Sequence, residues 1–315
     1  MMIRFRDTLG PCLTPGGSVV TLGAFDGVHR GHRALLAHVR GRADALDLPA
    51  IALTFEPVPR QFFAGRRSFA RLSSPGEKCR RIAEFVDGIG LLHFDATLAA
   101  MSAEDFIERV LVGRLAVREL WVGPAFRFGH ARRGDIALLH AFGSRHGFTA
   151  HESAPMDDSG ERISSSRIRK ALAGGAFDEA ADLLGRRFSM GGHVVHGLRL
   201  GRKLGYPTAN LRVPWGAPPV TGICAVRVTG AGLEQWPSVA SLGTRPTVGG
   251  VEPLLEAHLF DYDGDLYGHR LEVDFIAKLR DEVRFDSLDA MVEQIHRDAA
   301  EARAILAGLP ASRPP

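Results

Sequence analysis

An apolar run, Val19-Val20-Thr21-Leu22, leads straight into Gly23-Ala24-Phe25-Asp26-Gly27-Val28-His29-Arg30-Gly31-His32 and then into a helix-like stretch, Arg33-Ala34-Leu35-Leu36-Ala37-His38-Val39. A buried strand that passes through a glycine turn into a helix commits this region to a β-α unit. Gly23 and Gly27 let the backbone turn tightly and approach a ligand closely. His29 and His32 stand three apart at the mouth of the helix, so both rings can point at one spot. A helix N-terminus presents free N–H groups and the positive end of its dipole, which suits an anion. Strand, glycine turn, His-x-x-His and helix start together describe a phosphate site with two extra proton-bearing donors; Phe25 and Asp26 belong to the same turn.

The alternation of strand and helix continues. Ile51-Ala52-Leu53-Thr54-Phe55 is a second short apolar run, stopped by Glu56-Pro57-Val58-Pro59. Residues 103–112 have helical spacing, with Phe106, Ile107, Val110 and Leu111 on one face, and Leu120-Trp121-Val122-Gly123 reads as a third strand. This order predicts a parallel α/β sheet whose ligands collect beyond the carboxyl ends of the strands, where the 23–32, 55–63 and 123–129 loops fall. Near Gly185 the character changes to short alternating runs punctuated by Gly and Pro. Val194-Val195, Cys224 to Val228, Ser238 to Ser241, Leu255 to Phe260 and Leu271 to Phe275 are strand candidates for a small antiparallel barrel. An amphipathic helix over 288–306 follows, with Met291, Ile295 and Ile305 among its apolar positions. At 315 residues and 45% apolar content the chain suits two domains, 1–185 and 186–309, with a disordered tail over 310–315.

Composition excludes several classes. The net charge is only +3, and arginine pairs such as Arg80-Arg81 and Arg132-Arg133 are local clusters without a basic tail or aromatic-basic repeat, so no nucleic-acid partner is expected. Cys12, Cys79 and Cys224 lie far apart, which argues against a disulfide framework or a zinc knuckle. The N-terminal residues lack an apolar signal core and no run has the length of a membrane span, so a soluble cytoplasmic protein without a membrane partner is expected.

Three further stretches carry chemistry. Arg162-Ile163-Ser164-Ser165-Ser166-Arg167-Ile168-Arg169 precedes a helical stretch, Lys170-Ala171-Leu172. Consecutive hydroxyls there serve as an N-cap. Arginines interleaved with serines go further and offer charge-assisted donors around a polyphosphate, as a departing pyrophosphate needs. The phosphate site of His29 and His32 suits the α-phosphate of a nucleoside triphosphate during adenylyl transfer. The second stretch runs from Gly197 through Gly201-Arg202-Lys203-Leu204-Gly205-Tyr206-Pro207-Thr208-Ala209-Asn210. It is not a P-loop, because Leu204 stands where Ser or Thr is required. It describes either a flexible cationic flap or a Gly/Pro-rich barrel turn. Thr208 and Asn210 share a side if the chain is extended, and such hard oxygens suit Mg²⁺ held with substrate phosphates. The third is Leu255-Glu256-Ala257-His258-Leu259-Phe260-Asp261. A carboxylate pointing into a barrel is costly unless used or paired, and Glu256 can take a proton from an attacking hydroxyl; the plain alternative is a solvent-facing strand residue.

Taken in order, these stretches resemble the bifunctional bacterial riboflavin kinase/FMN adenylyltransferase (FAD synthetase) family over nearly the whole chain. The resemblance rests on Gly-x-Phe-Asp-Gly-Val-His-x-Gly-His at 23–32, Ser-Ser-x-x-Ile-Arg at 164–169 and Leu-Gly-x-Pro-Thr-Ala-Asn at 204–210. Gly-Thr-Arg-Pro-Thr at 243–247, Asp-Leu-Tyr-Gly at 265–268 and Leu-Arg-Asp-Glu-x-x-Phe at 279–285 complete it. It implies a Rossmann-like, parallel-sheet nucleotidyltransferase domain followed by an antiparallel β-barrel kinase domain with a C-terminal helix. The barrel would phosphorylate riboflavin with MgATP to FMN, and the first domain would transfer AMP from a second ATP to FMN, giving FAD and pyrophosphate. By the resemblance Glu256 is the catalytic base and Thr208 and Asn210 are the Mg²⁺ and phosphate ligands. Gly197, Arg202, Lys203, Gly205 and Pro207 form the flap over ATP, and Arg280 and Glu282 help enclose the flavin. His29 and His32 would stabilise charge developing on the phosphates of the second ATP and, with Arg169, would be catalytic; Gly23, Phe25, Asp26 and Gly27 would bind that ATP or FMN, and Arg162, Ser165, Ser166 and Arg169 would hold the triphosphate and leaving group.

One position departs from the family pattern. Gly-x-Asp-Phe or Gly-x-Asn-Phe is usual before Arg-Phe-Gly, whereas this chain reads Gly123-Pro124-Ala125-Phe126-Arg127-Phe128-Gly129. Losing one hydrogen bond to a charged group costs about 1.5–3 kcal/mol, a slowing of roughly 10–150-fold if confined to the transition state. Two alternatives therefore stand beside the bifunctional enzyme: a riboflavin kinase with an impaired or regulatory first domain, and a non-catalytic flavin sensor.

Overall fold

The computed structural model describes residues 2–64, 69–197, 201, 204–212, 217–247 and 250–309. Arg202, Lys203 and the 310–315 tail lie outside the described residues. The chain divides into two compact units, Met1–Phe69 with Ser73–Ser165 and Ala70–Leu72 with Ser166–Pro315.

In the first unit β1 (Ile3–Phe5), β2 (Ser18–Leu22), β3 (Ala50–Glu56), β4 (Gly88–His93), β5 (Val117–Val122) and β6 (Thr149–Glu152) form a parallel sheet ordered β1-β4-β3-β2-β5-β6. All five residues of β2 are buried because both sheet faces are covered, which is why it reads as a continuous apolar run instead of an alternation. On one face Val20, Leu22, Ile51 and Leu53 pack with Phe106, Ile107, Val110 and Leu111. On the other, Val19, Ala50 and Ala52 pack with Leu35, Leu36, Val39 and Ala43 of α1 (Arg30–Leu46). The strand order reverses at β2, between β3 and β5, so the loops after β2 and β5 flank the crevice where such sheets take ligands.

Other helices fix the loops. Only Pro57 and Val58 separate the end of β3 from α2 (Pro59–Ala64), so the 55–63 segment is strand and helix around a short turn. α3 (Pro75–Ile82) follows, then α4 (Ala96–Ala100) and α5 (Ala103–Phe106), which continues as a wider π-type helix over Ile107–Arg114. α6 (Ile136–His146) precedes β6. A hairpin of β7 (Asp157–Asp158) and β8 (Glu161–Arg162) leads to α7 (Ser165–Ala173) and α8 (Phe177–Leu184).

In the second unit β9 (Ser189–Val195), β10 (Ala209–Arg212), β11 (Gly222–Gly230), β12 (Leu233–Thr247), β13 (Gly250–Leu259) and β14 (Arg270–Arg280) close into an antiparallel barrel ordered β10-β13-β12-β11-β14-β9. Ala225 and Val239 face outward onto Ala299, Ala302 and Leu306 of α9 (Leu288–Ala307). By alternation Cys224, Val226 and Ala240 fill the barrel, and burial pushes the Cys224 thiol up to about 12, so it behaves as a small hydrophobe. Among the described residues no helix is long and apolar enough to cross a membrane.

Arg227 fastens α9 to the barrel. Its side chain is buried, with Nη1 donating to Gln235 O at 3.0 Å and Nη2 to Leu306 O at 3.0 Å and Leu309 O at 3.2 Å. A cation at the helix C-terminus also meets the negative end of the dipole. Arg227→Met is expected to destabilise the barrel unit by about 2–3 kcal/mol, because buried carbonyls lose a charged donor. Calorimetry reads this as a lower Tm, and a variant melting like wild type would count against the clamp.

Candidate functional site

The turn after β2 is built under strain. Phe25 (φ 48°) and Val28 (φ 41°) occupy the left-handed region, with Gly27 (φ 83°) between them. A β-branched residue rarely adopts that conformation. The turn persists because the Phe25 and Val28 side chains are each 1% exposed and locked into the core under α1. Gly27 N donates to Ser73 Oγ at 3.1 Å, and Ser165 Oγ donates to Asp26 O at 3.0 Å, so both flanks of the turn are tied.

His29 caps α1, its Nδ1 accepting from His32 N at 3.3 Å. The His29 and His32 rings stack with centroids 3.6 Å apart, and Phe25 meets His32 edge-on at 5.1 Å. The two histidines therefore do converge. The His32 Nδ1 atom is buried and has no hydrogen-bond partner. Burial, and then the neighbouring His29, Arg162 and Lys78 charges, hold the His32 imidazole well below the usual histidine range. Arg162 also donates to Pro124 O at 3.5 Å, which sets it over the 123–129 loop. Gly23 lies against the Phe25 ring and donates to Leu53 O at 3.0 Å.

Ser166 and Arg169, on α7, belong to the second unit; Ser166 is exposed, and Arg169 Nε donates to Ala70 O at 2.5 Å. Sequence reasoning missed an aromatic cavity of about 660 Å³ in the first unit, lined by Phe55, Phe63, Phe94, Phe126 and Phe128 and by Arg60, Arg127 and Arg132. The adjacent aromatics Phe62 and Phe63, 38% and 72% exposed, are its sequence signal, since exposed paired rings are unusual in a core-forming segment. At the departing position, Ala125 sits at φ 57° and its N–H donates to Glu152 Oε1 at 2.9 Å, so a carboxylate from the end of β6 reaches this loop.

In the barrel, register brings distant residues together. Asn210 pairs with Glu256, Glu256 with Ser241, Ser241 with Ile223 and Ile223 with Arg280. Cross-strand partners share a face, and Ile223 packs toward α9, so the whole row is on the outside of the barrel. The expectation that Glu256 points into the barrel is thus corrected: Leu255 and Ala257 fill the interior, and Glu256 faces a cavity of about 330 Å³ that Met291 and Ile295 of α9 also line. Thr208, Asn210, Arg280 and Glu282 line the same cavity. A second cavity, about 700 Å³ and lined by Thr208, Pro207, Asp263, Asp265 and Tyr267, adjoins from the other side, so Thr208 borders both.

The Asn210 Oδ1 atom is buried without a hydrogen-bond partner, while its Nδ2 donates to Thr208 O at 3.2 Å. A Cβ at Gly197 would come within 2.5 Å of that Oδ1, so the glycine keeps open the space beside it. An orphaned amide oxygen next to the Thr208 hydroxyl is the donor chemistry a Mg²⁺ ion accepts. Gly205 takes φ 80°, which suits glycine in the turn before Pro207. Arg280 is held by Asp298, with Nε to Oδ1 at 2.9 Å and Nη2 to Oδ2 at 2.6 Å, so it pins the end of β14 to α9. Glu282 is exposed, and its carboxylate occupies the space a Cβ on Gly243 would need.

The depressed His32 proton affinity has a consequence for folding. In the unfolded chain its pKa is near 6.5, so the unfolded state takes up a proton below that pH while the folded state resists it. The stability held above pH 6.5 is therefore lost as the pH falls toward the lowered folded value. Wild type should lose stability relative to His32→Gln by up to about 1.4 kcal/mol per pH unit in that window, measured by denaturation between about pH 7.5 and 5.5. Parallel profiles would mean that His32 titrates freely.

The family model for FAD synthetase matches residues 13–167, and that for riboflavin kinase matches residues 184–306. A bifunctional riboflavin kinase/FMN adenylyltransferase from Pseudomonas fluorescens is 45% identical over 92% of this chain and 94% of its own. The protein of the same description from Escherichia coli K12 is 45% identical over 91% of this chain and 92% of its own. A crystal structure described as a macrolide-efflux protein from Streptococcus pneumoniae superposes with a TM-score of 0.79 at 30% identity, covering 96% of this chain and 98% of that one. The chain belongs to the bifunctional riboflavin kinase/FMN adenylyltransferase family.

Proposed function

We propose that this chain makes FMN and then FAD: the barrel phosphorylates the 5′-hydroxyl of riboflavin with MgATP, and the parallel-sheet unit transfers AMP from ATP to FMN, releasing pyrophosphate. The observation that carries the reading is Thr208, which borders both barrel cavities. A phosphoryl donor in one cavity and an apolar acceptor in the other would meet at Thr208 and Asn210. Glu256, in the acceptor cavity, takes the proton of the attacking hydroxyl. Thr208 and Asn210 would hold Mg²⁺, which when bound neutralises phosphate charge. Gly197 and Gly205 belong to the segment that covers ATP, as do Arg202 and Lys203 by sequence. Arg280 shapes the flavin side through its hold on Asp298, with Glu282 at the rim.

In the first unit the aromatic cavity suits the isoalloxazine ring, and Arg60, Arg127 and Arg132 at its wall suit the FMN phosphate. The turn carrying Gly23, Asp26, Gly27, His29 and His32 takes the ATP phosphates. Neutral His32 donates through its ring N–H, and a polyanion bound beside it raises its proton affinity as charge develops. Arg162 and Ser165 serve the same phosphates, and Ser166 and Arg169 are assigned to the leaving pyrophosphate by sequence. The working division is 1–185 for adenylyl transfer and 186–309 for the kinase, in an enzyme of the cytoplasm where its ATP is supplied.

A chromatographic time course of the purified protein with MgATP and riboflavin, and separately with FMN, tests this. FMN followed by FAD is expected. FMN that accumulates without FAD would show a kinase whose first domain is disabled at the Ala125 loop. Flavin bound without ATP consumed would overturn both. Glu256→Gln should slow FMN formation by about 10²–10⁴-fold and leave supplied FMN convertible to FAD. The double variant His29→Ala, His32→Ala should do the reverse; loss of both reactions in either well-folded variant would refute the two-site assignment.

A further inference from the structure

The segment Ser73-Ser74-Pro75-Gly76-Glu77-Lys78 touches the backbone of both loops that the proposed adenylyl transfer uses. Ser74 Oγ accepts from Glu77 N at 3.1 Å and Pro75 opens the helix, so α3 starts rigidly. Ser73 is fully buried, and its Oγ accepts from Gly27 N at 3.1 Å in the strained turn that leads to His29. Five residues on, Lys78 is also fully buried. Its Nζ donates to Phe55 O at 2.7 Å and lies 3.7 Å from Glu56 Oε2, at the carboxyl end of β3. Phe55 lines the aromatic cavity.

A lysine is almost never fully buried without a partner, and a buried ion pair is seldom the most stable filling for its space. Met would fill the same volume without desolvating a charge. Lys78 supplies what Met lacks, a donor that seizes one particular carbonyl. With Ser73 it makes the 73–78 segment a brace: one end fixes Gly27, the other fixes Phe55.

We propose that Ser73 and Lys78 are positioning residues that set the offset between the turn holding ATP and the cavity holding FMN. This rests on the adenylyl-transfer reading above. In that reaction an FMN phosphate oxygen forms a bond to the α-phosphorus of ATP as the α–β P–O bond breaks and pyrophosphate departs. The two bonds must lie in line, and a misplacement of about 1 Å can cost roughly 100-fold. Neither side chain touches substrate; both act through backbone atoms. The Lys78 charge also reaches His32, being one of those that hold its ring neutral.

The test uses the full-length protein, with kcat and KM for FMN adenylylation and riboflavin phosphorylation measured on the same preparations of Lys78→Met, Ser73→Ala and Ser73→Thr. For Lys78→Met and Ser73→Ala, adenylylation kcat should fall about 10- to 100-fold with KM for ATP and FMN held within about threefold, and kinase kcat unchanged. Ser73→Thr keeps the hydroxyl and should recover most of the rate. Should Lys78→Met fail to fold, Ser73→Ala decides alone. A raised KM with unchanged kcat would overturn the proposal, since the segment would then only shape binding. Normal adenylylation in both variants would overturn it while leaving the function standing. Wild type that makes FMN but no FAD would overturn the function of the first unit and this proposal with it.

Discussion

The burial of Phe25 and Val28 is what holds the turn after β2 in its left-handed shape. Left-handed backbone at two non-glycine positions costs of order 1–3 kcal/mol each. Fully burying a Phe or Val side chain returns about 1.5–3 kcal/mol each. The turn is thus held by the same core that packs α1 onto the sheet. His29 depends on it: the ring caps α1 and then stacks on His32, so its direction follows from where the turn delivers it. Donors fixed in this way need no reorganisation as charge develops, which is where electrostatic stabilisation is most effective.

The barrel solves a different problem. Closure leaves its strands no open edge, and its lumen is filled by Cys224, Val226, Ala240, Leu255 and Ala257. Polar chemistry has no room inside and is displaced to the outer face. The row Asn210, Glu256, Ser241 and Ile223 meets that condition because antiparallel register puts partners from adjacent strands on one side. α9 then gives the row a wall, and the Arg280–Asp298 pair at mid-helix and the Arg227 clamp at its C-terminal end keep that wall in place.

Legibility in the sequence followed burial. β2 and β3 are covered on both faces and announce themselves as Val19-Val20-Thr21-Leu22 and Ile51-Ala52-Leu53. β4 did not, because it contains Gly88 and Gly90. A Cβ at Gly88 would stand 2.5 Å from Ile51 Cδ1, so the strand is glycine-bearing because its neighbours press so close. Glu256 could be picked out by type but not by direction: its strand alternates buried and half-buried residues, and only the register with Asn210 and Ser241 tells lumen from outer face. Lys78 was hidden for the opposite reason. Glu77-Lys78-Cys79-Arg80-Arg81 reads as a solvated charge run, yet a short helix laid against the end of β3 buries Glu77 and Lys78 while Arg80 stays exposed.

Ala125 shows how a departure from a family pattern is weighed by structure. Its φ of 57° is a conformation in which Asn and Asp are enriched among non-glycine residues, so part of what a polar residue supplies at such a position is backbone tolerance and not substrate contact. The acceptor function is separable from that tolerance. Here the Ala125 N–H already has an acceptor, Glu152 Oε1, delivered by the neighbouring strand whose last pair is Val122 with Glu152. Parallel pairing makes the two carboxyl ends adjacent, and adjacency lets a side chain from one strand complete the loop of the next. The loop therefore carries a carboxylate, that of Glu152, despite Ala125, and Ala125 holds its left-handed backbone without the side chain that favours it.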